Sequence, residues 1–371
     1  MSISDIPSKR WVTSTYGDIG NLNLEDSTVP PPAENEVRIR SRAIGLNFAD
    51  VLATLGLYEA AGNPPFCPGF EVSGVVDAIG EGVEGIHVND RVYAMVRFGT
   101  CTTAINVDHR YVRPVPDDWS FQEAAAFATQ AVTAWYALCV LGGIPSNGDR
   151  PLQPTSKRKI VLVHSAAGGV GLNLVEMVKR VGGEIVAVVG SAAKIPTLEA
   201  HGVSRERIIV RGLDDKDGFE PKVREILGGS GVDVVVDSLL GDYFQGGYDL
   251  LNLGGRYIAM GSASLTPSGT LSILKGGLAN LVKLGFRFLN RPKLDLLSNI
   301  GQNKTVSGFN LFYLFDNHEL LSTGYSEIEA MELPKPVVGK TYPFENAPDA
   351  MRFFQAGQSI GKIVLEVGAE S

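Results

Sequence analysis

Cysteine and histidine are scarce in this sequence. The 371 residues include three cysteines and five histidines. Cys67, Cys101 and Cys139 lie far apart and form no CxxC pair, so the sequence predicts no disulfide framework. The histidines show no spacing typical of a catalytic triad or a metal cluster. We therefore expect a protein that binds no metal.

An excess of positive charge is also missing. The sequence has 33 lysines and arginines against 41 aspartates and glutamates, which gives a net charge of −8. Because no basic block is present to neutralise a phosphate backbone, we expect no nucleic-acid partner. The first residues, MSISDIPSKRW, lack the apolar core of a signal peptide, which predicts a cytoplasmic protein.

Long hydrophobic runs are rare, and one uncharged stretch, residues 124–148, has the length of a membrane span. It is rich in alanine rather than leucine, contains Gln130 and Thr133, and ends at a turn signal, Pro145. This composition favours a buried helix at a domain junction.

The pattern of apolar residues changes along the chain. In the first 115 residues, short apolar runs separated by Gly, Pro and Asn indicate a compact β-barrel. From residue 160, buried apolar strands alternate with helices, which predicts an α/β fold with a doubly wound parallel sheet. The polar, Pro-rich residues 145–159 are interpreted as a surface loop of unknown role, and Gly361–Val367 as a final strand.

The stretch Ile160–Gly171, IVLVHSAAGGVG, indicates a phosphate cradle. An apolar strand leads into a run of small residues, and a helix begins there. Small residues let the backbone approach a pyrophosphate, and the helix N-terminus supplies unpaired N–H groups. The strand, turn and helix context is the one that dinucleotide binding requires. The predicted contacts are Ala167, Gly168, Gly169 and Val170.

The end of the next predicted strand bears on the choice of cofactor. An NAD site usually has Asp or Glu there for the ribose hydroxyls, whereas this chain has VGSAAK, Val189–Lys194. Ser191 and Lys194 are suited to hold a phosphate, and Gly190 lies beside them. We therefore predict NADPH rather than NADH, with a solvated helix residue as the alternative for Lys194.

Several spaced motifs together resemble the medium-chain dehydrogenase/reductase superfamily, more narrowly its zinc-free quinone oxidoreductases and among these the vesicle amine transport protein branch. The resemblance implies a GroES-like β-barrel catalytic domain with an inserted Rossmann domain, in a homodimer. The implied domains are residues 1–125, 126–310 and 311–371. The motifs are GLNFADVLATLGLY (45–58), PGFEVSGVVDAIGEGVEG (68–85), NDRV (89–92), AAGGVG (166–171), SGFNLFYL (307–314) and GKIVL (361–365).

The resemblance also locates the zinc-ligand positions of zinc-dependent relatives. Those relatives carry Cys where this chain has Asn47, His where it has Phe70, and a further Cys near Thr129. An amide, a phenyl ring and a hydroxyl do not make a zinc site. Glu71 alone cannot hold a metal, so we predict that it is a structural acid, with a catalytic role as the alternative.

The chemistry implied by the resemblance is hydride transfer to an electron-poor small molecule, a quinone or an α,β-unsaturated carbonyl. Asn47 and Tyr58 match the Asn and Tyr of the quinone reductase pattern. We expect Asn47 to bind the ribose or the acceptor oxygen, and Tyr58 to donate to the developing oxyanion. The alternatives are a loop-stabilising amide and a half-buried aromatic residue, and Asp50 is expected to hold the loop.

Further cofactor contacts are implied by the family. Gly261 and Ser262 follow a predicted strand, where a doubly wound fold binds its ligands. The remaining predicted contacts are Thr133, Phe309 and Asn310.

A second interpretation of the whole protein comes from Ile273–Leu297, a predicted apolar helix in which lysines and arginines recur at intervals. A basic amphipathic helix can lie on an anionic membrane surface. The alternative function is therefore that of an NADPH-binding, weakly membrane-associated or lipid-handling protein with little turnover. The competing explanation of this segment is a dimer or pocket-wall helix with lysine stems along its apolar side.

Overall fold

The computed structural model describes residues 4–146, 158–266 and 269–368. Most of the predicted surface loop at 145–159 lies outside these residues. The chain divides into two compact units. The first comprises the described residues up to 129, 269–281 and those from 335, and the second comprises the described residues of 130–266 and 282–334. This division into compact units does not test the predicted domain boundaries after residues 125 and 310, which stay predictions.

Fifteen strands lie in the described part of the chain. In chain order they are β1 (Ile6–Thr13), β2 (Leu22–Val29), β3 (Glu36–Leu46), β4 (Glu71–Ile79), β5 (Arg91–Met95), β6 (Ala104–Asp108), β7 (Val112–Pro114), β8 (Ile160–His164), β9 (Glu184–Val189), β10 (Ile208–Val210), β11 (Val232–Asp237), β12 (Leu251–Ala259), β13 (Thr305–Gly308), β14 (Val338–Pro343) and β15 (Lys362–Glu366).

Eleven α-helices accompany these strands in the described residues. They are α1 (Phe48–Leu55), α2 (Phe121–Ala124), α3 (Ala128–Trp135), α4 (Gly169–Arg180), α5 (Ile195–Ala200), α6 (Phe219–Ile226), α7 (Tyr243–Asp249), α8 (Leu278–Leu289), α9 (Leu296–Gln302), α10 (His318–Ala330) and α11 (Ala347–Gln355).

The first unit is built on a seven-stranded sheet and a two-stranded one. The strand order is β14-β15-β3-β4-β5-β7, with β6 also paired to β3, and β1 pairs with β2. All these pairs are antiparallel except β14 with β15. Ala125 and Ala126, which directly follow α2, pack with Ala43 of β3 and Val364 of β15 in one buried cluster, so the chain approaches the sheet closely there.

The second unit contains a six-stranded, wholly parallel sheet in the order β10-β9-β8-β11-β12-β13. Strands β8, β9 and β11 lie in the part of the chain from residue 160 for which the sequence predicts alternating strands and helices. Their residues are almost all buried, as expected for strands covered on both faces. The predicted α/β class with a doubly wound parallel sheet is confirmed. The strand order reverses between β8 and β11, which is where such sheets bind ligands.

The uncharged stretch of the sequence lies in a helical region. A capping box opens this region, because Ser120 Oγ accepts from the Glu123 N–H at 3.1 Å and Glu123 accepts from the Ser120 N–H at 2.7 Å. Among the described residues, Phe121–Leu141 is the helical stretch long and apolar enough to cross a membrane, and 67% of its apolar 18-residue window is buried. That burial is typical of a core helix.

Candidate active site

A tight turn leads from β8 into α4. Ser165 has a left-handed backbone conformation with φ 54°, and its carbonyl oxygen accepts from the Gly168 N–H at 2.9 Å. A methyl group on Gly171 would lie 2.5 Å from the same oxygen, so glycine is needed there for α4 to begin this close to β8. The predicted residues Ala167–Val170 lie in this turn and the first turn of α4. No side chain caps that helix, so its N–H groups are available to a pyrophosphate.

The carboxyl ends of β8, β11 and β12 meet beside the turn. Ser165 Oγ and Ser238 Oγ lie 2.9 Å apart, which joins the segments that follow β8 and β11. A methyl group on Gly261 would lie 3.1 Å from the Ser238 carbonyl oxygen. The predicted residues Gly261 and Ser262 therefore lie next to the point where the strand order reverses.

The other predicted contacts of the second unit lie on α3 and after β13. The Gln130 side chain packs so closely on Gly169 that a methyl group there would overlap it, and Thr133 lies three residues further along α3. The Phe309 N–H donates to the carbonyl oxygen of Ala259 in β12 at 3.2 Å. The Asn310 side chain accepts from the Phe312 N–H at 3.0 Å. Their predicted cofactor contacts stay predictions.

Two cations converge where β9 and β10 end. Lys194 and Arg211 are both half-buried. Burial lowers the pKa of Lys194, and the nearby Arg211 charge lowers it further. Burial is also the main cause that lowers the pKa of Arg211. An anion bound here would stabilise both charged forms.

Arg211 is a functional candidate that sequence reasoning missed. A methyl group on Gly190 would lie 2.7 Å from its guanidinium, so the guanidinium occupies space that a side chain at Gly190 would fill. The available signal was its position directly after the apolar strand β10, at the carboxyl edge of the sheet.

The ring of Tyr243 packs against the Arg211 guanidinium. The guanidinium lies 5.6 Å from the Tyr243 ring centre, within cation–π range. His164 is fully buried and packs against Phe219 and Tyr243, with ring centres 5.3 and 5.6 Å away. Burial lowers the pKa of His164, which favours the neutral ring. His164 is thus a packed strand-end residue that helps to place Tyr243.

In the first unit, the Asn47 amide bonds to both members of a buried ion pair. Lys362 and Glu71 are 0% and 1% exposed and form a salt bridge. The Asn47 Oδ1 accepts from Lys362 Nζ at 2.9 Å, and Asn47 Nδ2 donates to Glu71 Oε1 at 3.0 Å. The second Glu71 oxygen accepts from the Thr129 N–H at 3.1 Å. These contacts support the prediction of Glu71 as a structural acid.

The same contacts explain why the zinc-ligand positions of the zinc-dependent relatives do not fit a metal in this chain. Asn47 bonds to Lys362 and Glu71, Phe70 carries a ring packed on other rings, and Thr129 supplies a backbone N–H. A cation, the Lys362 ammonium, already neutralises Glu71. Among the described residues, no group of three or more His, Cys, Asp or Glu side chains has the arrangement of a metal site.

Asp50 lies beside this ion pair and fixes the start of α1. Its two oxygens accept from the N–H groups of Asn47 and Gly69 at 2.8 and 2.7 Å, as predicted for a residue that holds the loop. Complete burial raises the pKa of Asp50 to about 7, against the lowering effects of the two N–H groups and of Lys362.

This raised pKa predicts a pH dependence of stability. Between about pH 4 and pH 7 the folded protein keeps a proton on Asp50 that the unfolded chain has released. The free energy of unfolding should therefore fall as pH rises in this window, by up to about 1.4 kcal/mol per pH unit from this group. In Asp50→Asn the contribution disappears. Urea denaturation from pH 4 to 8 measures the difference between the two proteins.

Asp349→Asn is the control for that comparison, because Asp349 is an exposed acid in an exposed ion pair. Its unfolding curves should run parallel to those of the wild type at every pH. If the wild type and Asp50→Asn instead differ by a constant free energy across the window, Asp50 does not titrate there.

Tyr58, the predicted oxyanion donor, belongs to an aromatic cluster (Tyr16, Tyr58, Phe66, Phe70 and Phe98). Its ring centre lies 5.9 Å from that of Phe70 and 6.2 Å from that of Phe98, both edge to face. The Phe70 and Phe98 ring centres are 4.8 Å apart. All members except Phe70 are half-buried, so ring surface remains available for a planar ligand.

The predicted site residues therefore fall into two sets. The first unit brings Asn47 close to Glu71 and places Tyr58 in the aromatic cluster. The second unit gathers the glycine-rich turn, the cation pair and the segments after β12 and β13 at the carboxyl edge of its sheet.

Comparison with known proteins places both units in one family. Residues 33–140 match the model of the alcohol dehydrogenase GroES-like domain, and residues 209–365 match that of the zinc-binding dehydrogenases. The human synaptic vesicle membrane protein VAT-1 homolog is 32% identical over 366 residues, which cover 97% of this chain and 86% of that protein.

Two solved structures extend the comparison. The CurK enoyl reductase is 28% identical with a TM-score of 0.76, and mycobacterial Rv1454c complexed with NADPH is 26% identical with a TM-score of 0.77. Each similarity covers 97% of this chain and 99% of the other. The expected GroES-like domain and the expected nicotinamide-cofactor fold are both present.

Proposed function

The chain belongs to the medium-chain dehydrogenase/reductase superfamily, among the relatives of the VAT-1 homologues, and we propose that it is an NADPH-dependent, zinc-independent reductase of quinones or α,β-unsaturated carbonyls. The observation that carries the cofactor choice is the pair Lys194 and Arg211 beside Gly190. When bound, NADPH supplies the hydride.

The chain's own groups suit the phosphates of this cofactor. The uncapped start of α4 offers backbone N–H groups to a pyrophosphate. Ser191, Lys194 and Arg211 form a donor set for a 2′-phosphate, with charge-assisted hydrogen bonds from the two cations. The end of β9 has Val189 and Gly190 in place of the Asp or Glu that typically binds the ribose in NAD sites.

The aromatic cluster supports the proposed class of acceptor. Quinones and α,β-unsaturated carbonyls are planar and electron-poor, so they require orientation and a hydrogen-bond donor more than a Lewis acid. Half-buried rings at Phe66 and Phe98 offer edge and face contacts to a planar ligand. The Tyr58 hydroxyl in the same cluster would donate to the oxygen on which negative charge develops.

The proposed function is tested with protein that has been dialysed against a chelator. NADPH oxidation is followed with ortho-quinones, para-quinones and enals as acceptors. Turnover with at least one acceptor class, unchanged by added zinc, is the expected result. NADPH that binds tightly without turnover on any acceptor contradicts the reductase proposal.

Tyr58→Phe should lower kcat by about ten- to a hundredfold, because a hydrogen bond to developing charge is worth roughly 1.5–3 kcal/mol. The dissociation constant of NADPH should stay within twofold of the wild-type value. Steady-state kinetics and fluorescence titration measure the two quantities. Tyr342→Phe, on β14 of the same unit, is the control for loss of a hydroxyl. Unchanged turnover in Tyr58→Phe would identify solvent as the proton source.

A second candidate function concerns the basic apolar segment, Ile273–Leu297. Apolar side chains at Leu278, Val282, Phe286 and Leu289 are all exposed and share one face of α8. Lys283 and Arg287 flank this face, and both are exposed. Such a surface fits the interface of an anionic membrane, so the second candidate that we propose is a weakly membrane-associated, NADPH-binding or lipid-handling protein with little turnover.

Co-sedimentation with vesicles of phosphatidylcholine and phosphatidylserine tests this candidate. Binding should weaken with salt and fall more than tenfold in Lys283→Glu/Arg287→Glu, because each basic residue near an anionic surface contributes about 1 kcal/mol. Lys194→Glu, which also reverses one charge, should bind vesicles like the wild type. No binding to anionic vesicles at low salt would remove the candidate.

The assembly and location of the reductase are also proposals. The family resemblance supports a homodimer, and we propose a cytoplasmic location. Light scattering of the purified protein tests the dimer, and a monomer mass at micromolar concentration would contradict it.

A further inference from the structure

Within the described part of the chain, the Arg211 guanidinium has no hydrogen-bonded carboxylate partner. The Arg211 N–H donates to the Val189 carbonyl oxygen at 3.0 Å, which ties the backbone to the end of β9. Asp215 and Asp237 act on the guanidinium through their charges alone. An arginine side chain loses conformational entropy when it is fixed in one position. Packing, rather than an ion pair, is therefore what limits the position of this guanidinium.

Two neighbours supply that packing. The guanidinium lies 5.6 Å from the centre of the Tyr243 ring, and its Nη2 would lie 2.7 Å from a methyl group on Gly190. The face of an aromatic ring attracts a cation without forming hydrogen bonds to its N–H groups. The ring therefore restricts the guanidinium and leaves its planar fork of N–H groups to the oxygens of a phosphate.

A carboxylate in place of the ring would work against a phosphate. Its two oxygens would occupy the same fork of N–H groups, and its negative charge would repel the phosphate. A tyrosine adds no charge of this kind, because burial raises the pKa of Tyr243 above its ordinary value. An aromatic neighbour thus suits an arginine that has to receive an anion.

The Tyr243 ring is itself held by residues of two other elements. The ring centre of Phe219, at the start of α6, lies 5.4 Å away at an interplanar angle of 88°. The ring centre of His164, at the end of β8, lies 5.6 Å away at 60°. Tyr243 follows β11 and Arg211 follows β10, and β8 and β9 lie between these strands in the sheet. The ring therefore reaches Arg211 across the ends of two strands, in a position that His164 and Phe219 fix.

We propose that Tyr243 is a specificity-determining positioning residue, whose ring holds the Arg211 guanidinium in place to receive the 2′-phosphate of NADPH. This inference rests on the proposed function and deepens it, because it assigns part of the preference for NADPH to a residue that acts through another. Without the ring, phosphate binding would first have to restrict the guanidinium. That entropic cost would weaken binding of the phosphorylated cofactor alone.

The test uses 2′,5′-ADP and 5′-ADP, two fragments of the cofactor that lack the nicotinamide half and differ only in the 2′-phosphate. Isothermal titration calorimetry of the purified protein gives the two dissociation constants, and their ratio measures the contribution of the phosphate. In the wild type, 2′,5′-ADP should bind at least about a hundredfold more tightly, as expected for charge-assisted hydrogen bonds from two cations.

Tyr243→Leu, which keeps apolar bulk and removes the ring, should lower this ratio by about three- to thirtyfold, the range of a cation–π contact. Tyr243→Met carries the same expectation if the leucine variant does not fold. Tyr243→Phe keeps the ring, so its ratio should stay within about twofold of the wild-type value. Tyr313→Leu is the matched control, because Tyr313 lies in the same unit and is 61% exposed. Its ratio should equal that of the wild type.

A double-mutant cycle separates positioning from a general structural role. In Arg211→Gln the ring has no guanidinium to hold, so the addition of Tyr243→Leu should lower the ratio by less than about twofold more. A structural role would lower the affinity for both fragments alike, or would lower the ratio as much in the Arg211→Gln background as in the wild type. Either result would overturn the proposal.

Two other results would also overturn it. One is a ratio in Tyr243→Leu that equals the wild-type ratio. The other is a loss in Tyr243→Phe as large as that in Tyr243→Leu, which would assign the effect to the hydroxyl. If the wild type binds the two fragments equally, the choice of NADPH in the proposed function fails as well. A wild type that discriminates between them, beside a Tyr243→Leu variant that discriminates equally, refutes this inference alone.

Discussion

Lys194→Glu should weaken NADPH binding by at least a hundredfold and NADH binding by less than threefold. A charge-assisted hydrogen bond contributes roughly 1.5–3 kcal/mol, and the reversed charge adds repulsion to the loss. The effect should be confined to NADPH because the proposed partner of Lys194 and Arg211 is the 2′-phosphate, which NADH lacks. Fluorescence titration with both cofactors measures it.

Two further variants sharpen this prediction. Arg211→Gln should weaken NADPH about tenfold to a hundredfold while keeping the side-chain length. Gly190→Ala should weaken it for a steric reason, because the added methyl would lie 2.7 Å from the guanidinium. Lys283→Glu, an exposed charge reversal on α8, should leave both cofactors unaffected. Equal losses of affinity for NADPH and NADH in Lys194→Glu would contradict the assignment of the phosphate site.

Lys362→Met should lower the free energy of unfolding by about 3–5 kcal/mol, because it leaves the Glu71 carboxylate buried without its cation. Both partners are essentially unexposed. Removing the second partner as well, in Lys362→Met/Glu71→Leu, should restore most of the loss, since a packed apolar pair carries no desolvation cost. Urea denaturation of the three proteins measures these differences.

The matched control is Lys335→Met, at an exposed ion pair with Asp118 in the same unit, where the Lys335 Nζ lies 3.1 Å from the carboxylate. An exposed pair of this kind contributes about 0–1 kcal/mol. If Lys362→Met costs no more than Lys335→Met, the buried pair does not hold the first unit together.

The parallel sheet could be predicted closely from the sequence for a physical reason. Its strands are buried on both faces, so β8, β9 and β11 contain the apolar runs IVLV, IVAVV and VVV, each bounded by polar or glycine residues. The glycine-rich turn after β8 is equally local, because its chemistry depends on residues that are adjacent in sequence.

The side-chain partners could not be predicted in the same way. Arg211 lies near Lys194 only because β10 pairs with β9. Which strands pair cannot be predicted from the sequence of either strand alone. Likewise Glu71 and Lys362 are separated by 291 positions. The sequence showed an acid next to an aromatic residue, and a lysine at the start of a buried strand, but not that they meet.

The polarity of Asn47 is a similar case. Its position matched a family pattern, which left it open whether the amide donates or accepts. Only the positions of Lys362 and Glu71 distinguish the amide oxygen from the nitrogen.

Transfer of deuterium from C4-labelled NADPH to an α,β-unsaturated carbonyl, catalysed by chelator-treated protein, tests the proposed function most directly. The carbon–deuterium bond formed at the β-carbon does not exchange with water, so mass spectrometry of the product locates the label. The proposed function predicts one deuterium at that carbon, at a rate that Tyr58→Phe lowers and added zinc does not change. Unlabelled acceptor recovered after NADPH has been shown to bind, together with no oxidation of NADPH by quinones, would contradict it.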